Sequence, residues 1–187
     1  MHSLLQPSPN RFFAEGFIDE EASQMAVHRP LRSDGKTFEQ AAAFIRNSRV
    51  EHLYFFREDK QIARFRGTSN YVNPPEEALL RMKDCVVLHN HPQGTSFSQA
   101  DVKAVVRYDA AKLVVVSPDY FYTVKRPRDS WGIDMDSLWI DNVLEEATSL
   151  AQDELRKKEA RGEMNTSQKL FEENHQVWSI FFSYFDI

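Results

Sequence analysis

The chain has 187 residues, enough for one domain or one domain with a substantial appendage, and its 42% hydrophobic and 12% aromatic content excludes global disorder. Its 23 basic and 28 acidic residues give a net charge of −5, which argues against a broad nucleic-acid surface built on clustered Lys and Arg. A single cysteine excludes an intramolecular disulfide, and no apolar run approaches the ~18 residues of a membrane span. A reducing, cytoplasmic setting is therefore the default expectation.

Residues 1–36 contain Pro and Ser and show little periodicity, which predicts an irregular lead-in anchored by Phe12, Phe13 and Phe17. Thr37-x-x-Gln40 is a capping-box pattern, and the Ala41–Ile45 run behind it predicts a helix to about Asn47. Glu51–Phe56 and Gln61–Arg66 flank Glu58-Asp59-Lys60, the signature of a β-hairpin. Asn73-Pro74-Pro75-Glu76-Glu77 predicts a helix start with Asn73 as cap and Leu79, Leu80 and Met82 packed inward. Cys85-Val86-Val87-Leu88 reads as a strand, with Cys85 a buried small hydrophobe and not a nucleophile.

A loop then leads to a helix from Ser98 to about Asp109, with Val102, Val105 and Val106 as its buried stripe. Leu113–Val116 and Tyr120–Lys125 are two further strands. Residues 37–134 thus alternate helix, hairpin, helix, strand, helix, strand and strand. The expected class is α/β (α+β), a mixed sheet flanked by helices. Beyond it, Val143, Leu144, Ala147, Leu150, Ala151 and Leu155 recur at helical spacing, and Arg161-Gly162 breaks that helix. Leu170, His175, Trp178, Phe181, Phe182 and Phe185 mark a second, aromatic helix. Residues 135–187 are expected to form a two-helix appendage folded back onto the sheet domain.

The chemistry concentrates in His89–Asp101. Two imidazoles two residues apart at the end of a strand project to one side, and Asn90 faces away. Pro92 and Gly94 turn the chain, and Ser98-x-x-Asp101 opens a helix that returns a carboxylate to the histidines. Two neutral nitrogens and one carboxylate leave a tetrahedral zinc one open position, the catalytic arrangement. The simpler readings are a hydrogen-bonded pair of strand-end histidines and a Ser98–Asp101 capping box, and the second is compatible with metal binding by Asp101. His-Asn-His suggests a nuclease by name only, because HNH nucleases distribute those residues along a hairpin and a helix. His2, His28 and His175 have no partners at ligand spacing, and His52 faces opposite to Glu51. Phe181, Phe182 and Phe185 read as packing. Lys125-Arg126-Pro127-Arg128 reads as a solvated basic loop or as a contact for an acidic partner.

The segment resembles the JAMM (MPN+) metalloprotease motif, His-x-His-Pro followed by Ser-x-x-Asp, and its His-Asn-His-Pro-x-Gly form resembles the RadC-like branch. Upstream, Glu51–Phe56, Phe65-Arg66-Gly67-Thr68 and Pro75-Glu76-Glu77 follow the RadC-like order, so the resemblance covers roughly residues 37–125. Six residues, 92–97, separate His91 from Ser98, one fewer than in the common pattern. His175-x-x-Trp178 is similar to the tail of such domains in phage-type and mobile-element proteins. The resemblance implies an MPN, cytidine-deaminase-like core and one zinc held by His89, His91 and Asp101. It also implies Ser98 near the oxyanion and a distant glutamate that serves the water.

Glu51 is the choice for that glutamate, as general base and then proton donor to the leaving amine. Glu76 and Glu77 are explained as helix-start acids and Glu58 as a turn residue. The implied activity is hydrolysis of a peptide or isopeptide bond, for which zinc lowers the pKa of water from ~15.7 to about 7. The implied substrate is a protein or peptide: a ubiquitin-like tail, a sulfur-carrier adduct, a phage precursor or a cell-wall peptide. Two further readings stay open. One is a non-catalytic scaffold that docks a partner through its helical tail, and the other a DNA-associated factor.

Overall fold

The computed structural model describes residues 30–128 and 130–187. The lead-in anchors Phe12, Phe13 and Phe17, and His2 and His28, lie outside them. Residues 30–36 form neither helix nor strand. They are tied to the sheet edge by a Leu31 N–H bond to the Arg64 carbonyl (3.0 Å) and by Asp34, which pairs with Lys36 and Arg64.

Helix α1 (Phe38–Ile45) opens with the expected capping box: Thr37 Oγ1 accepts from Gln40 N–H, and the Gln40 side chain accepts from Thr37 N–H. Strands β1 (His52–Arg57) and β2 (Lys60–Arg66) pair antiparallel across a two-residue turn. Glu58 and Asp59 occupy that turn with φ of 47° and 61°, the positive pair whose twist suits a hairpin, although neither is glycine.

The next helix is short. Helix α2 covers Glu76–Leu79 and tightens at once into a 3-10 turn, Leu80–Met82. Its N-cap is Pro75, without a side-chain cap bond, so Asn73 lies two residues outside. The change to three residues per turn alters the phase of the inward face. Ala78 and Met82 are buried, whereas Leu80 is 66% exposed and does not pack inward as expected.

Strand β3 (Val86–Asn90) leads through the His91–Ser98 loop into helix α3 (Gln99–Arg107) and then β4 (Lys112–Val116), which pairs parallel with β3. Strand β5 (Phe121–Lys125) returns antiparallel. The five-stranded mixed sheet has the order β2-β1-β3-β4-β5, so β3 is central and its carboxyl end opens at the middle of the sheet. One face, through Tyr54, Phe56, Leu88, Val114 and Val116, packs on α1. The other carries Leu53, Phe55, Val87, Leu113 and Val115 and packs on α3 and the C-terminal helices. Val102 and Val105 are the buried stripe of α3, with Val106 half-buried. Cys85, just before β3, is fully buried, and burial pushes its thiol pKa up, as fits an inert hydrophobe.

Within the basic cluster Lys125 and Arg128 are exposed, whereas Arg126 is half-buried and bonds Asp84 (2.6 Å) and Asp109 (2.9 Å), so one of its three cations is already paired within the chain.

Helices α4 (Leu138–Ala160) and α5 (Thr166–Ser183) form the C-terminal part. Val143, Leu144, Ala147, Ala151 and Leu155 are buried, but Leu150 sits off that stripe and is exposed. Leu170 is also exposed, and Glu173 is buried one turn further along α5. From there Val177, Trp178, Phe181 and Phe182 join one continuous core with Leu53, Phe55 and Val115 of the sheet. Among the described residues no helix is long and apolar enough to cross a membrane.

Candidate metal centre

The site sits where the carboxyl end of β3 meets the entry to β1 and the start of α3. Glu51 immediately precedes β1 and is fixed by its backbone. Its N–H donates to the Thr68 carbonyl (2.7 Å), and its carbonyl accepts from Gly67 N–H (2.8 Å). Asn90 brackets it from the next strand: Asn90 Oδ1 accepts from His52 N–H (2.7 Å) and Asn90 Nδ2 donates to the Val50 carbonyl (3.1 Å). The Asn90 side chain therefore holds the residues on either side of Glu51 while His89 and His91 point to the opposite face.

Gly67 has no substitute in this arrangement. A Cβ there would stand 2.0 Å from the Tyr71 carbonyl oxygen, which is backbone and cannot rotate away. Gly67→Ala should open the 67–71 loop, release the two bonds on the Glu51 backbone, and lower the melting temperature by several degrees. An alanine variant that melts with the parent and keeps its activity would show that the loop does not fix Glu51.

His89 and His91 occupy alternate positions and their rings meet edge to face, with centroids 4.8 Å apart. His91 N–H bonds the Val116 carbonyl (3.0 Å), which extends the β3–β4 ladder to the histidine itself. A turn over Pro92-Gln93 follows, closed by Gly94 N–H on the His91 carbonyl (3.0 Å). His91 Nδ1 lies 3.2 Å from the Thr95 carbonyl and 3.1 Å from Thr95 Oγ1, so Thr95 occupies that nitrogen and Nε2 is the one presented to the site. Ser98 is the N-cap of α3. Its N–H and Oγ–H both donate to Asp101 Oδ2 (2.8 and 2.7 Å), and its Oγ accepts from Asp101 N–H (3.1 Å). The observed contacts of Ser98 thus cap the helix and orient the Asp101 carboxylate.

Four side chains converge. His89 Nε2 lies 3.0 Å from Glu51 Oε2, His89 Nδ1 lies 3.1 Å from Asp101 Oδ1, and His91 Nε2 lies 3.2 Å from Asp101 Oδ2. Glu51, His89 and His91 are each 5–7% exposed. Burial disfavours charge on His89, but Asp101 and Glu51 more than offset it and push its pKa up to about 10. Burial likewise opposes the charge of Asp101, and the two imidazoles overcome it, holding that carboxyl well below the usual range. His52 faces the other way, with Nε2 3.1 Å from Ser48 Oγ and its ring against Phe44. Burial, aided by Arg66 and Arg64, lowers its pKa to about 4 and keeps it neutral.

Glu51, His89 and His91 form a buried group that could hold a metal ion, with one donor atom from each lying within 4.8 Å of the others. A divalent cation would displace the proton that His89 otherwise holds, and with both imidazoles neutral the two carboxylates would balance its charge. Because a carboxylate faces each nitrogen of His89, two ligand sets share the imidazoles. One adds Asp101, as the resemblance implies. The other adds Glu51 and leaves Asp101 as the outer carboxylate that orients a ligating histidine.

Sequence reasoning missed the hold of the tail on this loop. Trp178 Nε1 donates to the Phe97 carbonyl (2.6 Å), and Asn174 Nδ2 reaches the same oxygen (3.3 Å). Ser96 Oγ donates to Asn174 Oδ1 (2.6 Å), and the Phe97 ring packs on Tyr122 and Phe182. His175, between those two α5 residues, is exposed, with its ring 5.1 Å from that of Tyr122. The only sequence signal was the density of aromatics after residue 170, which indicates burial without saying against what. Compared with known proteins, the chain matches no family model, no curated protein and no solved structure.

Proposed function

We propose that the chain is a zinc-dependent hydrolase of the JAMM type, RadC-like, which cleaves a peptide or isopeptide bond in a protein or peptide substrate. The observation that carries this reading is the convergence of Glu51, His89, His91 and Asp101 at the end of the central strand, within 3.0 to 3.2 Å contacts. In this reading His89, His91 and Asp101 hold the ion, and imidazole nitrogens with a carboxylate are a donor set zinc accepts. A bound zinc would supply the Lewis acidity that makes water nucleophilic near neutral pH and polarises an amide carbonyl.

The remaining work belongs to the chain. Glu51 accepts the proton of the attacking water at Oε2 and returns it to the leaving amine. The backbone bonds of Glu51 with Gly67 and Thr68 keep that carboxylate in reach of the histidines. Ser98 steadies Asp101 through its two donated bonds. The resemblance also assigns Ser98 to the oxyanion, and that role requires its hydroxyl to leave Asp101 during turnover. Metal analysis of the purified protein, followed by a panel of amide substrates with and without chelator, tests the reading. One zinc per chain is expected, with hydrolysis lost on chelation and restored by zinc. Protein that holds no stoichiometric metal would overturn it in favour of a scaffold.

A further inference from the structure

A cavity of about 170 Å³ lies between α3 and the inner face of the sheet, and two of the four converging side chains, His89 and Asp101, form part of its wall. Its floor is Leu53, Val87 and Leu113, one residue from each of three neighbouring strands. Ala104 of α3 contributes only a methyl group, which leaves the space open on that side. Of the residues that line it, Asn73 and Ala100 are exposed.

Resting on the hydrolase reading, we infer that this cavity is a substrate subsite for one uncharged apolar side chain, of the size of leucine or methionine, next to the scissile bond. Three observations converge on that occupant. An apolar cavity of ~150 Å³ holds a benzene-sized group, so this volume suits a four- to six-atom side chain and not a bulky one. Among the described residues, the wall apart from His89 and Asp101 carries one polar side chain, the exposed Asn73. A charged substrate group would lose its hydration there, and the two charged side chains it could meet, His89 and Asp101, are already paired with each other. Finally, a group seated in the cavity touches His89 and Asp101 directly, so its burial positions the adjoining amide against the reacting centre. A void of this size left in a packed core costs stability, and filling it by substrate turns that into binding.

The test uses the full metal-loaded chain and acetylated peptide amides that differ at one residue flanking the scissile bond: glycine, leucine, methionine, lysine or glutamate. Leucine and methionine are expected to be preferred over glycine by roughly 10- to 200-fold in specificity constant, since each buried methylene discriminates by up to that order. Ala104→Phe should fill the space and collapse the leucine-to-glycine ratio. A second measurement needs no hydrolysis: methyl shifts of Leu53, Val87 and Leu113 on addition of N-acetyl-leucinamide to the wild-type protein, against N-acetyl-lysinamide. Selective shifts with the leucine compound support the subsite even if no amide is cleaved, an outcome that would sink the hydrolase reading alone. Equal response to both compounds, or to neither, overturns the subsite. So does hydrolysis with no preference among the peptides.

Discussion

Glu51→Gln is expected to keep the metal and lose turnover by about 10²- to 10⁴-fold, the usual contribution of a positioned acid–base group. Asp101→Asn is expected to lose the metal. The pair of variants decides between the two ligand sets that share His89 and His91, because the roles of the carboxylates exchange between them. If Asp101 is the ligand, its replacement removes both a donor and a charge, and affinity should fall by more than the roughly 10- to 100-fold that loss of an outer partner costs. If Glu51 is the ligand, the larger fall belongs to Glu51→Gln, and Asp101→Asn stays within that range. Titration of each metal-free variant with cobalt, read by its absorption, gives both affinities without any assay of activity. Glutamine preserves the size of the side chain, and Glu51 owes its position to backbone bonds from Gly67 and Thr68, so loss of fold is not the expected outcome. A Glu51→Gln protein that binds metal and turns over normally would remove that residue from the chemistry.

The parts of the fold that were legible in the sequence are those governed by local rules. The hairpin, the Thr37 capping box, the apolar strands entering and leaving α3, and the helical tail all follow from period, caps and breakers within a short window. So does the alternation that turns Asn90 away from His89. Where the reading failed, a distant contact or a change of phase decided. Leu80 looked apolar and helical, yet the 3-10 turn rotates it into solvent. Arg126 looked like a free cation until Asp84 and Asp109, far apart in sequence, met across it. The convergence at the candidate site was half legible: the spacing of His89, His91 and Asp101 sets them at the two ends of one short loop, but the approach of Glu51 depends on strand pairing and on the Gly67 loop. The anchoring of the His91–Ser98 loop by Asn174 and Trp178 spans roughly eighty residues, beyond any local pattern.

Those two tail residues should control the metal site at a distance. The carbonyl they hold belongs to the Phe97–Ser98 peptide group, and the N–H of that same group donates to Asp101 Oδ2 (2.8 Å). Fixing the carbonyl on one side therefore fixes the donor that orients the carboxylate on the other. Trp178→Phe keeps most of the buried ring and removes one donor, while Asn174→Ala removes the other donor and the bond from Ser96. Each alone should cost about 1 kcal/mol of stability, since the carbonyl retains one partner. The double variant leaves it without either, at about 1–3 kcal/mol for an unsatisfied buried group, and the two effects should not add. Metal affinity should follow the same pattern, modestly lower in each single variant and about tenfold or more lower in the double, in line with the loss of an outer-shell partner. Trp178→Ala, by contrast, empties a core position at about 3–5 kcal/mol and tests packing instead of orientation. A folded double variant that binds cobalt as tightly as the parent would show that the tail merely packs against the loop and does not aim Asp101.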